Sequence, residues 1–163
     1  MQLRRMTVLC MALLISCVLI GCNSTPKESG RYYNKGKGFS IKFPEGWKKQ
    51  KSPRGVIITF GSPEDTASVG VQKQKVSPQQ TLAYTVKFMK SYTRKIGGKI
   101  IDTGETVIDN VDASWLLSDL GSETIITYYM KKDDYIYSIL ASAAKDDFYE
   151  DEMRSIARSF RFE

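Results

Sequence analysis

Two ten-residue segments, ETIITYYMKK (123–132) and YIYSILASAA (135–144), are separated only by Asp133 and Asp134. Both are rich in β-branched and aromatic residues, and so short a connection between such runs closes as a hairpin. Strands that follow one another without a helical crossover must pair antiparallel. This pair sets the kind of sheet that the rest of the chain has to join.

Further strand patterns lie on either side. In GFSIKFP (38–44), Phe39, Ile41 and Phe43 share one face, and Pro44-Glu45-Gly46 turns the chain ahead of Trp47. VIITFG (56–61) is a short β-branched run ended by SPED (62–65). ASVGVQKQKV (67–76) begins with Val69 and Val71 on one face but continues with Lys73 and Lys75 at the same parity, which predicts an edge strand or a bulge. KIIDTGETVI (99–108) contains a glycine, and ASWLLSDLG (113–121) places Trp115 and Leu117 opposite Leu116. Alternation also puts Tyr128 and Tyr129 on opposite faces, leaving room for one of them at the surface.

Two stretches change period. In SPQQTLAYTVKFMKSYTRKIGG (77–98), Leu82, Val86, Met89, Thr93 and Ile96 form a helical stripe flanked by Tyr84, Phe88 and Tyr92. Ser77, Pro78 and Gln80 read as N-cap, N1 and N3 of a capping box, and Gly97-Gly98 as the stop. Residues 147–160 read as a closing helix with Asp147 and Glu150 at its start and Tyr149, Met153, Ile156 and Phe160 on its apolar stripe. The expected order is βββ-α-ββββ-α, an α+β fold with a central antiparallel sheet.

Chemistry is constrained by what the chain lacks. It has no histidine, which removes the commonest general base and metal ligand. No Walker-type loop and no G-x-G-x-x-G turn occurs. Oxygen-ligand sites for hard cations remain, at Asp109-Asn110-Val111-Asp112, Glu64-Asp65 and Asp133-Asp134, but these are turn sequences first. Lys87, Lys90 and Arg94 recur at i, i+3 and i+7 on the polar face of the first helix, with Lys73 and Lys75 as possible neighbours. They are candidate contacts for anionic headgroups or an acidic partner, set against the ordinary solvated helix face.

The N-terminus settles the expected location. MQLRR is followed by the apolar run MTVLCMALLISCVLI (6–20), shorter than the roughly twenty residues of a membrane span and proportioned like a secretory signal. Leu19-Ile20-Gly21-Cys22 resembles the lipobox of bacterial lipoproteins, in which cleavage precedes a cysteine that carries the lipid. That resemblance implies a signal peptide over 1–21, acylated Cys22, and a mature chain without any free cysteine or disulfide, Cys10 and Cys17 being lost with the signal. Removing Arg4 and Arg5 takes the net charge from +6 to about +4. Asn23 after the lipidated cysteine leans toward the outer membrane in a cell that has one. Residues 22–37 then read as the lipidated cysteine and a flexible tether, and 38–163 as the folded domain. Export argues against nucleic acid as partner despite the basic composition.

GFSIKFPEGW at 38–47 and the ending YSILASAAKDDFYEDEMRSIARSFRF also resemble the PsbP-like family, above all in F-x-I-x-F-P-x-G-W and the closing S-F-R-F. The likeness covers about residues 36–163 and implies an α-β-α sandwich with an antiparallel sheet. In plants and algae, PsbP is an extrinsic photosystem II subunit that helps retain calcium and chloride. Cyanobacterial and non-photosynthetic bacterial relatives include lipoproteins. The matching residues are structural, and the histidines used in some relatives have no counterpart here. The expectation is therefore a non-enzymatic, lipid-anchored envelope protein with no cofactor and no metal. It would serve as an accessory or binding subunit of a membrane complex. The alternative is a small-molecule or cation-binding module, and the third reading is an enzyme acting with carboxylates alone on glycans.

Overall fold

The computed structural model describes residues 30–163. Leu19, Ile20, Gly21 and Cys22, with the rest of the expected signal peptide and the first part of the expected tether, lie outside the described residues. The elements in chain order are β1 (Arg31–Asn34), β2 (Phe39–Lys42), β3 (Lys48–Gln50), β4 (Val56–Gly61), β5 (Ala67–Lys75), α1 (Leu82–Lys95), β6 (Lys99–Ile108), β7 (Val111–Asp119), β8 (Glu123–Lys132), β9 (Tyr135–Ala144), α2 (Glu150–Arg158) and β10 (Arg161–Phe162). The expected order is recovered with three short strands, β1, β3 and β10, added to it.

Seven strands form one antiparallel sheet in the order β3-β4-β5-β9-β8-β7-β6, and β1-β2-β10 form a second, small sheet. The β8–β9 hairpin closes at Asp133-Asp134, with Lys132 opposite Tyr135. Asp133 takes a positive φ of 53° there, and Asp109 and Asn110 both do so between β6 and β7. Two successive positive φ values make the β6–β7 connection a type I′ turn, whose twist matches that of its strands.

Both faces of the large sheet are covered. On one, Ile58, Val69, Val71, Ile126, Tyr128, Met130 and Ile139 are buried against Phe39 and Ile41 of the small sheet, Phe43 just after it, Met153 and Ile156 of α2, and Phe160 just beyond that helix. On the other, Leu116, Tyr129 and Ile136 are buried beneath Leu82, Val86 and Met89 of α1. The helices therefore flank the sheet, and Tyr128 and Tyr129, on opposite faces, are both buried. The expected exposure of one of them is overturned because each face has its own cover.

Arg154 of α2 ties its helix to the sheet. Its Nη1 donates to the Tyr128 hydroxyl at 3.0 Å and its Nε to Glu150 Oε1 at 2.7 Å, while the guanidinium stacks 4.1 Å from the Trp115 ring centre. Trp115 in turn lies across Gly104, its partner on β6. A Cβ at Gly104 would meet Trp115 Cζ2 at 2.7 Å, so the glycine is there to admit the indole.

Local expectations shift at several points. Arg31–Asn34 pairs with β2 from Arg31↔Lys42 to Asn34↔Phe39, so the folded region starts ahead of Gly38 and includes part of the segment read as tether. The first helix begins at Leu82, capped by Thr81, whose Oγ1 accepts from Tyr84 N at 3.1 Å. Ser77 instead caps a preceding turn, accepting from Gln79 N. The second helix begins at Glu150, after a 3-10 turn at Lys145–Asp147, with Tyr149 at its N-cap and no side-chain cap. β5 is no edge: it pairs with β9 along its whole length, and the register shift lies between Val56 and Ile58 of β4. Lys73 holds its parity by stacking on Tyr135 and Tyr137, 4.3 and 4.9 Å from their ring centres. It points to the sheet face opposite α1 and so does not join Lys87, Lys90 and Arg94.

Gly104→Ala is expected to lower the unfolding free energy by about 1–3 kcal/mol, the range for overpacking a rigid contact. Denaturant unfolding with an unchanged midpoint would show that the indole does not need the space.

Candidate functional site

α1 packs mainly across β6, β7 and β8, also covers Ile136 of β9, and leaves the end of β5 at Gln72 and Gln74 beside it open. Its residues divide into three stripes. Leu82, Val86, Met89 and the buried Thr93 face the sheet. Lys87, Lys90 and Arg94 occupy the flank toward β6 and β7. Tyr84, Phe88 and Tyr92 occupy the other flank, at 60, 57 and 49% exposure, and Ile96 extends the row beyond the helix end. The helical period of four residues puts these side chains one above another.

Each flank borders a groove. The basic one has a volume of about 800 Å³ and brings together Lys87, Lys90 and Arg94 with Thr103 and Ser114 of the underlying strands. Lys90 Nζ donates to Thr103 Oγ1 at 3.2 Å. Glu105 and Asp112 line the same groove, so the three cations do not face an empty field. The structure thus brings the predicted basic triplet together in one wall and adds two carboxylates that sequence spacing did not associate with it.

The second groove, of about 290 Å³, contains no charged side chain. Tyr84 and Phe88 overhang it, Gln72, Gln74 and Ser138 come from the open sheet, and Leu140, Thr127 and Tyr129 lie at its inner side. Aromatic side chains read only as flanking the helix stripe are the main exposed feature of the molecule's α1 side. The polar residues of Q-K-Q-K in β5 carried a signal for this. Lysine on one face and glutamine on the other mean that neither face of that strand end is fully covered.

Tyr129 sits below α1 with its ring sealed from water. Burial pushes its phenol up to about 12, with a hydrogen bond to Thr127 acting in the opposite sense. Two of the turn carboxylates are engaged elsewhere in the fold. Asp109 Oδ2 accepts from Phe162 N at 2.8 Å and lies 3.7 Å from Arg161 Nε, and Asp65 Oδ1 accepts from Gln50 Nε2 at 2.7 Å. Glu64 is exposed in the β4–β5 turn. Among the described residues, no three His, Cys, Asp or Glu side chains converge as a metal site, and no helix is long and apolar enough to cross a membrane.

No protein-family model matches the sequence, and no curated protein sequence matches it either. Solved structures do match. The cyanobacterial PsbP of Synechocystis superposes with a TM-score of 0.65 at 17% identity, over 82% of this chain and 91% of that one. LpqN of Mycobacterium tuberculosis, described as involved in cell envelope biogenesis, gives 0.61 at 12% identity over 76% and 82%. A Bacteroides thetaiotaomicron protein gives 0.60 at 12% identity, over 82% of this chain and 48% of its own. The fold is PsbP-like.

Because the Tyr129 phenol binds its proton more tightly when folded, the folded chain holds more protons than the unfolded one between the ordinary tyrosine pKa and the raised value. Stability is expected to be full below about pH 10 and to fall by about 2–3 kcal/mol as the pH rises to about 12. Denaturation across that range, with Tyr129→Phe beside the native protein, checks it. The variant should have a smaller slope, the remainder including Tyr128, whose phenol is also pushed up by burial, and an equal slope in both would contradict the assignment.

Proposed function

We propose that this is a non-catalytic, lipid-anchored binding protein of the cell envelope, attached through acylated Cys22, and that α1 is its working surface toward a membrane-protein partner. The observation that carries the reading is the row of Tyr84, Phe88 and Tyr92, three large aromatic side chains exposed side by side on one helix. Tyrosine and phenylalanine are enriched at interface centres, and contiguous exposed apolar surface on a folded domain marks contact sites. The neighbouring cations Lys87, Lys90 and Arg94 supply a charged rim of the kind that steers association. The lipobox-like Leu19-Ile20-Gly21-Cys22 supports anchoring, and the envelope role named for LpqN is consistent with this setting. Asn23 favours the outer membrane where the cell has two.

A second reading, a small-molecule module, is favoured by the uncharged groove under Tyr84 and Phe88. A neutral polar ligand with one flat face suits aromatic walls and amide donors.

The test is a photo-crosslinking amino acid at Phe88 of the lipidated chain in cells, with one at Lys49 on the far edge strand as control. The expected result is one membrane-protein adduct from position 88, absent from position 49 and strongly reduced when Cys22→Ala chain is exported unlipidated. Adducts of equal pattern at both positions, or none at 88, would contradict α1 as the partner surface. Protection of the aromatic side chains without any adduct would favour the small-molecule reading.

A further inference from the structure

The groove under Tyr84 and Phe88 has two unlike walls. One is aromatic, with both rings standing on α1 at 60 and 57% exposure. The other is the open end of β5. Gln72 and Gln74 are two residues apart there and so share one face, with Ser138, the β9 partner of Gln72, beside them. Gln80 stands where α1 is about to begin. Its Nε2 donates to Thr85 Oγ1 at 3.2 Å, which leaves the amide oxygen to accept. Lys131 Nζ donates to Pro78 O at 2.6 Å and to Gln80 O at 2.8 Å, so its charge is held by two backbone carbonyls and fixes the turn that carries Gln80. The inner side of the groove is an apolar patch of Met89, Ile136 and Leu140. The polar groups are thus amides and hydroxyls, each able to give and to accept a hydrogen bond, and the lining carries no charge.

We propose that this groove binds an uncharged glycan at an N-acetylhexosamine unit. The inference deepens the second reading above, a groove for a neutral ligand, and rests on it. A sugar ring has one face of C–H bonds polarised by the neighbouring oxygens, and an aromatic face carries the negative side of its quadrupole, so the ring stacks on Tyr84 and Phe88. Each sugar hydroxyl both gives and accepts, as the amides of Gln72 and Gln74 and the Ser138 hydroxyl do. The acetamido group accounts for the rest of the lining. Its methyl lies on Met89 and Leu140, where a bare hydroxyl would find no partner, and its amide pairs with a glutamine. Other ligand classes fit less well. A phosphate, carboxylate or amine would lose water against walls that do not neutralise it. A fatty chain would cover three amides without replacing their bonds to water. A proline-rich peptide suits aromatic walls but offers carbonyl acceptors alone, and leaves the acceptor half of every amide unused. Tyr92 and Ile96 lie outside the groove, so the end of the exposed row stays open to a protein partner.

The experiment titrates triacetylchitotriose, cellotriose and decaproline by calorimetry, at low and high salt, into the mature chain from residue 22 with Cys22→Ala. Phe88→Ala removes an exposed ring, and Phe88→Tyr restores one. Gln72→Leu/Gln74→Leu removes two amides at nearly constant volume, and Lys87→Glu/Arg94→Glu is the control on the other flank of α1. The expected result is saturable binding of triacetylchitotriose, at least tenfold tighter than cellotriose and nearly independent of salt. It should weaken at least tenfold in Phe88→Ala and in the glutamine variant, recover in Phe88→Tyr, and stay unchanged in the control. Equal binding of the two sugars, loss of binding in high salt, or full binding by the glutamine variant would overturn the proposal. Binding of decaproline in place of the sugar, lost in Phe88→Ala, would overturn the glycan and keep the groove as a neutral-ligand site. Absence of sugar binding overturns the proposal in every case. The reading beneath it fails separately, if the crosslinker at Phe88 captures a protein seated over the groove.

Discussion

On β8, Ile126, Tyr128 and Met130 point to one side and Thr127 and Tyr129 to the other, and all five are buried. A central strand sealed on both faces demands a layer on each side, and the rest of the architecture answers that demand. α2 and the small β1-β2-β10 sheet close one side, with Phe39 and Phe160 stacked 5.4 Å apart between them. α1 closes the other. With no cysteine among the described residues, the cover is held by packing and a few directed contacts such as Arg154 on Tyr128 and Trp115. Each layer has to fit closely, which is why a glycine sits under the indole.

The two covers are unequal, and the inequality creates the candidate site. α2 and the small sheet together spread over their face. α1 alone reaches from β6 to Ile136 of β9, so the sheet beside it ends in amides and hydroxyls, and the helix presents aromatics toward them. Its opposite flank carries the basic triplet over the edge strand β6. One helix thus bears a buried stripe, an aromatic flank and a cationic flank, in contrast to α2, whose Arg154 turns inward. The proposed binding surface and the structural support are the same element.

The sheet and both helices were legible because alternation and helical period are strong signals over ten or more residues. F-x-I-x-F-P-x-G-W was legible as structure: Phe39, Ile41 and Phe43 are buried, and Trp47 stacks on Phe43 at 6.5 Å. What escaped depends on contacts distant in sequence. β1 carries too little apolar periodicity in RYYN to be seen alone and exists because β2 offers it a partner. Ser77 and Thr81 both fit an N-cap, and only the position of the sheet decides which begins the helix. Lys73 breaks the apolar pattern of β5 because two tyrosines of β9 receive it. The basic triplet was visible by spacing, whereas Glu105 and Asp112, which share its groove, come from strands that only folding brings near.

The most direct test of α1 as the working surface is hydroxyl-radical footprinting of the aromatic side chains, in purified protein and in intact envelopes. Tyr149, exposed on the other side of the molecule, is the internal standard. Tyr84, Phe88 and Tyr92 are predicted to be labelled in the purified protein and protected at least severalfold in the envelope, with Tyr149 labelled alike in both. Equal labelling of all four in both settings would mean that nothing covers the helix in its native place, and would contradict the account.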